Sequence, residues 1–217
     1  MKSFTNDVLI PKYFDKLNGI PERNRGDGFK VIFEYLDRRV ESSMLPINII
    51  ETGCMRPGYT MDGDGSSTQL FDEFVNFHRK GSVRSIDITP EHAMFADRNT
   101  SVLTTVTCAD SVITLWNMSY KFADHIDLLY LDSYDVDFDN PLMSNLHHMK
   151  EMISAAHLIR SDTLVAVDDC RFYPGDHRVP AGINPATVGK GVFVQDFMKD
   201  IGASLIFDGY QKVWKLN

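Results

Sequence analysis

Carboxylates recur at one kind of place in this 217-residue chain: at the end of a short apolar, β-branched run. Glu51 lies near the end of PINIIET and Asp87 near the end of SVRSIDI. Asp110 follows VLTTVT, Asp132 follows IDLLYL, and Asp168–Asp169 follow DTLVAV. Unpaired carboxylates gathered on one edge repel one another, so folding is a poor account of them. A ligand that offers hydroxyls, positive charge or a proton is a better one. Asp87 stands about twenty residues past the loop that follows Gly53, the spacing at which an acid accepts hydrogen bonds from ribose hydroxyls. Gly53 and the glycines of the loop MRPGYTMDGDG let the backbone approach a ligand closely.

These residues must be brought together by the elements around them. The near-continuous apolar runs at 46–52, 82–88, 102–107, 126–131 and 162–167 suit strands covered on both faces. Between them lie helical patterns. Leu70, Phe71, Phe74, Val75 and Phe77 make one face of a helix over 66–80, with Ser66 or Ser67 at its start. Pro141 opens another over 141–160, and shorter helices fit 91–99 and 111–119. Further helices fit 28–41 and 190–201. Alternation of this kind predicts a parallel sheet with helices on both faces. The runs 203–208 and 211–216 are joined only across Asp208–Gly209–Tyr210, and so short a link requires antiparallel pairing. The fold expected is a Rossmann-like, doubly wound α/β sheet of seven strands, mostly parallel, with an antiparallel C-terminal hairpin. Residues 1–45 form an N-terminal helical segment and 46–217 the main domain, within one globular unit.

In such a sheet ligands bind beyond the carboxyl ends of the strands. Two cofactor classes fit there, a nicotinamide dinucleotide and S-adenosylmethionine. Gly63-Asp64-Gly65-Ser66-Ser67-Thr68 has Thr where the dinucleotide fingerprint needs its third glycine, and no phosphate-cradling loop is present. Glu51 beside the loop is unwelcome near a pyrophosphate but tolerable near a sulfonium. On Glu51-x-Gly53, Asp87, Asp110–Ser111, Asp132 and the final hairpin, the chain resembles the class I S-adenosylmethionine-dependent methyltransferases over roughly residues 47–216. The resemblance implies that Glu51, Thr52, Gly53, Ser66, Ser67, Asp87, Ile88, Asp110, Ser111 and Asp132 hold the cofactor. More narrowly, Asp132 with Asp168 and Asp169 is similar to the metal-binding trio of the Mg²⁺-dependent O-methyltransferases. That implies Mg²⁺ or another divalent cation on these hard oxygen donors. The other reading of Asp132 is a metal-free contact to cofactor or substrate. Asp135 stands where catechol-type enzymes of that branch carry a lysine, which removes the base expected for a catechol.

Asp132 and His148 are the candidate proton acceptors. For His148 the competing reading is a buried structural histidine, and His177 is a further candidate base in the long loop after the fifth run. Residues 171–189 read as a lid. Trp116 and Trp214 read as core. Asp110 and Ser111 also suit a plain helix start.

The composition narrows the partners. Net charge is −8, and no Lys/Arg cluster exceeds the pair Arg38–Arg39, which argues against nucleic acid. No apolar run approaches the ~20 residues of a membrane span, and the N-terminal stretch does not read as a secretory signal. Three scattered cysteines suggest no disulfide framework and a reducing, cytoplasmic setting. The function expected is methyl transfer to a small-molecule acceptor, at a hydroxyl oxygen, with or without a divalent ion. Assembly as a homo-oligomer is compatible with the sequence. The alternatives are a non-catalytic S-adenosylmethionine-binding module, a metal-dependent hydroxylase-like enzyme of the same fold, and an NAD-dependent reductase.

Overall fold

The computed structural model describes residues 2–20, 23–64, 66–118, 125–173, 179, 181–185 and 188–217. Seven strands form one sheet: β1 (Ile47–Thr52), β2 (Gly81–Asp87), β3 (Thr104–Cys108), β4 (Leu128–Leu131), β5 (Leu164–Val167), β6 (Ser204–Asp208) and β7 (Lys212–Lys215). Their order is β3-β2-β1-β4-β5-β7-β6. The first five are parallel, whereas β7 runs antiparallel to both β5 and β6. Seven strands in a Rossmann-like sheet, mostly parallel and closed by an antiparallel hairpin, are what the alternation of the runs and the short final link predict.

Strand alternation decides what each face buries. Ile49, Leu128, Tyr130, Leu164, Ala166 and Val213 face one way, into a core rich in aromatic rings. That core is closed by α2 (Arg25–Ser42) and α3 (Ser67–His78), through Phe29, Phe33, Phe71 and Phe74. Ile50, Leu129, Leu131, Val165, Val167 and Trp214 face the other way, under α5 (Ser111–Asn117), α6 (Pro141–Ala155) and α7 (Val192–Asp200). The remaining α-helices are α1 (Asp15–Leu17) and α4 (Pro90–Asn99).

The helix expected over 141–160 leaves the α conformation at Ala155 and finishes as a 3₁₀ turn, Ala156–Leu158. Trp214 is core as expected. Trp116 is not: it is 67% exposed on α5, a helix of two turns too short to bury more than one side.

The N-terminal segment is part of the first core. A π-helical stretch, Thr5–Phe14, contains Pro11 and leads into α1. Phe4, Leu9, Tyr13 and Leu17 are buried against α2 and α3. Asp37 of α2 ties down its start, accepting from the Phe4 and Thr5 backbone N–H groups at 3.0 Å each. Among the described residues, no helix is long and apolar enough to cross a membrane.

Candidate functional site

A cleft of about 550 Å³ opens at the carboxyl ends of β1, β2, β4 and β5. Its floor depends on Gly53, directly after β1. The Gly53 N–H donates to the Ile86 carbonyl of β2 at 2.8 Å, and φ is +79°. A Cβ at this position would lie 2.4 Å from the Asp132 carbonyl oxygen, so only glycine fits between β2 and the end of β4.

Asp87 stands on one wall. One carboxylate oxygen accepts from the Cys54 N–H at 3.1 Å and the other from the Thr89 N–H at 2.7 Å. Oδ2, which takes the Cys54 N–H, also accepts from the Cys54 thiol at 3.5 Å and lies 3.5 Å from His92 Nδ1, so of the carboxylate's about four acceptor sites the capacity left for a ligand is on Oδ1. Cys54 beside it is no thiolate, since burial and then the Asp87 charge push its thiol up. Across the cleft, Ser66 and Ser67 begin α3. Ser66 is held in the left-handed region at φ +49°, and its Oγ is buried without a hydrogen-bond partner among the described residues. An orphaned hydroxyl on a cleft wall is what a bound ligand would satisfy.

Gly53, Ser66, Ser67, Asp87, Ile88, Asp132 and Asp169 therefore line one cavity. The other expected site residues do not. Glu51 lies beneath the wall, because strand alternation turns it toward α3; Ser85 Oγ and Thr68 Oγ1 donate to it at 2.5 and 2.7 Å. Thr52 points to the opposite side and donates to the buried Glu151 at 3.2 Å. Asp110 caps α5 by accepting from the Ile113 N–H at 2.9 Å, and Ser111 lies against His147 at 3.3 Å. These four support the walls from behind. His148 is fully buried, with Nδ1 2.7 Å from the Ser144 carbonyl. Burial pushes it down to about 4. It does not line the cleft, where a base for a bound acceptor would stand. His177 lies outside the described residues. The described ends of its loop, Phe172 and Val188, pack with Tyr210 in a small apolar cluster.

Burial raises Glu51 from the ordinary 4.5 to about 7, against the pull of its hydroxyl donors. A carboxyl raised in the folded state favours folding while it is protonated. Its contribution is complete below the unfolded pKa and is lost as pH rises through about 7. Glu51→Gln mimics the protonated form. Urea unfolding from pH 5 to pH 8 should show a decline of roughly 2–3 kcal/mol in the parent chain that this variant lacks. Parallel pH profiles would refute the assignment.

The acid trio is assembled, but around two cations of the chain. Lys190 Nζ hydrogen-bonds Asp132 Oδ1 and lies 3.0 Å from Asp169 Oδ2. Arg25 Nε is 3.2 Å from Asp168 Oδ2, and its Nη2 is 3.5 Å from Asp169 Oδ1. Its guanidinium also covers the Tyr210 ring at 4.8 Å and donates to the Gly63 carbonyl at 2.6 Å. Burial alone would drive Lys190 down, but Asp132 and Asp169 outweigh it and hold the ammonium protonated. Burial works against charge on Asp169 too, yet Lys190 and then Arg25 hold that carboxyl well below the usual carboxylate range.

Asp168 is 1% exposed and does not line the cleft. Oδ1 accepts from the Asp169 N–H at 2.8 Å, and Oδ2 accepts from the Tyr130 hydroxyl at 3.0 Å beside Arg25. The residues present therefore do not fit the expected divalent ion on Asp132, Asp168 and Asp169. An ammonium occupies the space between two of these carboxylates and the third is buried beneath them beside Arg25. Among the described residues no group of three acidic, histidine or cysteine side chains is arranged to hold a metal.

Arg25, Lys190 and Tyr210 are the site residues that sequence reading passes over. A basic residue between glycines, as in Gly189-Lys190-Gly191, is the one local hint.

No protein-family model and no curated protein sequence matches the chain. Solved structures do. The MycE methyltransferase from the mycinamycin biosynthetic pathway, in complex with Mg and SAH, superposes with a TM-score of 0.60 at 13% identity, over 94% of this chain and 54% of that one. Its complex with Mg, SAH and mycinamycin VI matches at 12% identity and the same TM-score, over 94% and 53%. A calicheamicin methyltransferase matches with a TM-score of 0.58 at 10% identity, over 98% and 88%. The chain thus spans about half the length of MycE. Its fold is that of the class I S-adenosylmethionine-dependent methyltransferases.

Proposed function

We propose that the cleft binds S-adenosylmethionine and that the protein transfers its methyl group to a small-molecule acceptor, at a hydroxyl oxygen. The observation that carries this reading is Asp87, an acid with unused lone pairs at the end of β2, facing the same cavity as the Gly53 turn and Asp132. Asp87 accepts from the ribose hydroxyls, and Ser66 Oγ takes up a polar group of the same ligand. Ile88, 68% exposed at the rim, gives the adenine an apolar edge. With its three carboxylates ionised against Lys190 and Arg25, the cluster carries one excess negative charge, which suits a cationic ligand.

S-adenosylmethionine, when bound, supplies a methyl group on a sulfonium that is already a good leaving group. What this chain adds is position and a proton acceptor. Asp132 takes the acceptor's proton. Burial raises its carboxyl, Lys190 pulls against that, and the Asp168 and Asp169 charges add to the rise, which makes it a stronger proton acceptor than an ordinary carboxylate. Phe138, Phe172 and Val136 form the apolar part of the wall and exclude water from the acceptor side. The likeness to MycE, a methyltransferase in complex with a small molecule, supports the acceptor class. The free thiols Cys54, Cys108 and Cys170 support a cytoplasmic setting.

Calorimetry with S-adenosylhomocysteine and with NAD tests the reading, followed by labelled S-adenosylmethionine with a panel of hydroxylated acceptors. Binding of S-adenosylhomocysteine alone is expected. Asp87→Ala should weaken it by about 1–3 kcal/mol, the size of hydrogen bonds to a charged group. Unchanged affinity in a folded variant would place the ribose elsewhere, and binding of NAD instead would replace the reading with that of a reductase.

A further inference from the structure

Lys190 is delivered to the acid cluster by backbone built for the purpose. Gly189 presses so closely on the end of β5 that a Cβ there would lie 2.1 Å from the Cys170 carbonyl oxygen. The Lys190 N–H donates to the Asp169 carbonyl at 3.0 Å, and α7 begins two residues later, with the Val192 N–H donating to Asn145 Oδ1 at 2.9 Å. The side chain so placed is fully buried, and its ammonium bridges Asp132 and Asp169, both of which line the cleft. A buried ammonium held by two carboxylates is a resident charge, retained at every pH at which the protein is folded and the carboxylates are ionised. Arg25 is the second cation, with Nε 3.2 Å from Asp168 Oδ2 and Nη2 3.5 Å from Asp169 Oδ1.

We infer that Lys190 is the built-in cation of this cleft, standing where a divalent ion would bridge Asp132 and Asp169, so that the site binds no divalent metal and works without one. Lys190 is a positioning residue: it acts through the two carboxylates it bridges. A divalent ion and the ammonium compete for the same oxygens, so removing the lysine creates the metal site that its presence precludes. The inference concerns the protein alone. It is tested without S-adenosylmethionine, so its failure is distinct from failure of the methyltransferase reading.

The experiment is titration of the free protein with Mn²⁺, read by electron paramagnetic resonance, and thermal unfolding with and without saturating Mg²⁺. The parent chain is expected to show no saturable Mn²⁺ binding and no Mg²⁺ shift. Lys190→Ser should acquire one Mn²⁺ equivalent and gain roughly 5 °C or more with Mg²⁺. Lys190→Arg, which keeps the charge, should acquire neither. If Lys190→Ser does not accumulate in folded form, Lys190→Gln takes its place in the same measurements. One Mn²⁺ equivalent on the parent chain, lost in Asp132→Asn, overturns the inference. So does a folded Lys190→Ser or Lys190→Gln protein that still binds no Mn²⁺.

Discussion

Arg25→Ala is expected to destabilise the protein by about 3–5 kcal/mol, the range for removing one partner of a buried ion pair. Arg25 is 2% exposed and lies within 3.5 Å of two carboxylates, Asp168, which is buried, and Asp169, which lines the cleft. Its loss leaves Asp168 with only hydroxyl and backbone donors, and leaves the Tyr210 ring and the Gly63 carbonyl to Arg23 alone. The pH dependence distinguishes this cause from lost packing. Without Arg25 the Asp168 carboxyl, which burial already raises, titrates higher still, while Asp169 keeps Lys190. The protonated form of Asp168 then favours folding more strongly, and that contribution disappears as pH rises through the raised value. The deficit relative to the parent chain should be smallest near pH 4 and grow toward pH 7. Arg25→Lys should recover part of it, because the charge returns while the planar fork and the ring contact do not. Urea unfolding at several pH values measures all three quantities. A deficit independent of pH would assign the loss to packing.

The site divides by how far apart its partners lie in the chain. Carboxylates at strand ends are legible because a parallel sheet places every strand's carboxyl end on one edge, so Asp87, Asp132 and Asp169 meet without any long-range information. The two cations are not legible in this way. Arg25 and Asp169 are 144 residues apart, and Lys190 and Asp132 are 58 apart. Nothing local to either residue says that it is buried, and a surface lysine or arginine is the ordinary expectation. In the sequence the trio therefore stands with its charges unopposed, and a metal is the natural way to neutralise them. Glu51 lies beneath the cleft wall for a different reason, one the sequence contains. With Ile47 and Ile49 facing the α2–α3 core, residue 51 shares their face, so it turns under α3 instead of out beyond the strand. Asp110 follows the rule for its type, since an aspartate directly before a helix caps it. The boundaries of the elements were clearer than the site, because apolar periodicity is repeated over many residues. The exception is Thr5–Phe14, where Pro11 interrupts the expected helical pattern and the backbone accommodates it in a wider π turn.

Gly53→Ala is expected to cost roughly 2–6 kcal/mol, combining about 1–3 for a non-glycine residue in the left-handed region with about 1–3 for overpacking. The added Cβ meets only backbone: the Asp132 oxygen at 2.4 Å, the Asp132 carbonyl carbon at 2.8 Å and the Ser133 Cα at 2.9 Å. No side-chain rotation can relieve these contacts. The ends of β1 and β4, paired at Thr52 and Leu131, must separate, and Asp132 moves with them. Gly58→Ala is the control. Gly58 also has a positive φ, +75°, but nothing lies within 4 Å of its would-be Cβ, so it reports the strain alone. Thermal unfolding of the pair therefore separates the two contributions, and the excess cost at Gly53 measures the close approach. S-adenosylhomocysteine calorimetry at a temperature where both variants are folded should then show affinity lost in Gly53→Ala and kept in Gly58→Ala. Equal costs and equal affinities would mean that the turn can shift away from Asp132, and that the β1–β4 contact does not set the floor of the cleft.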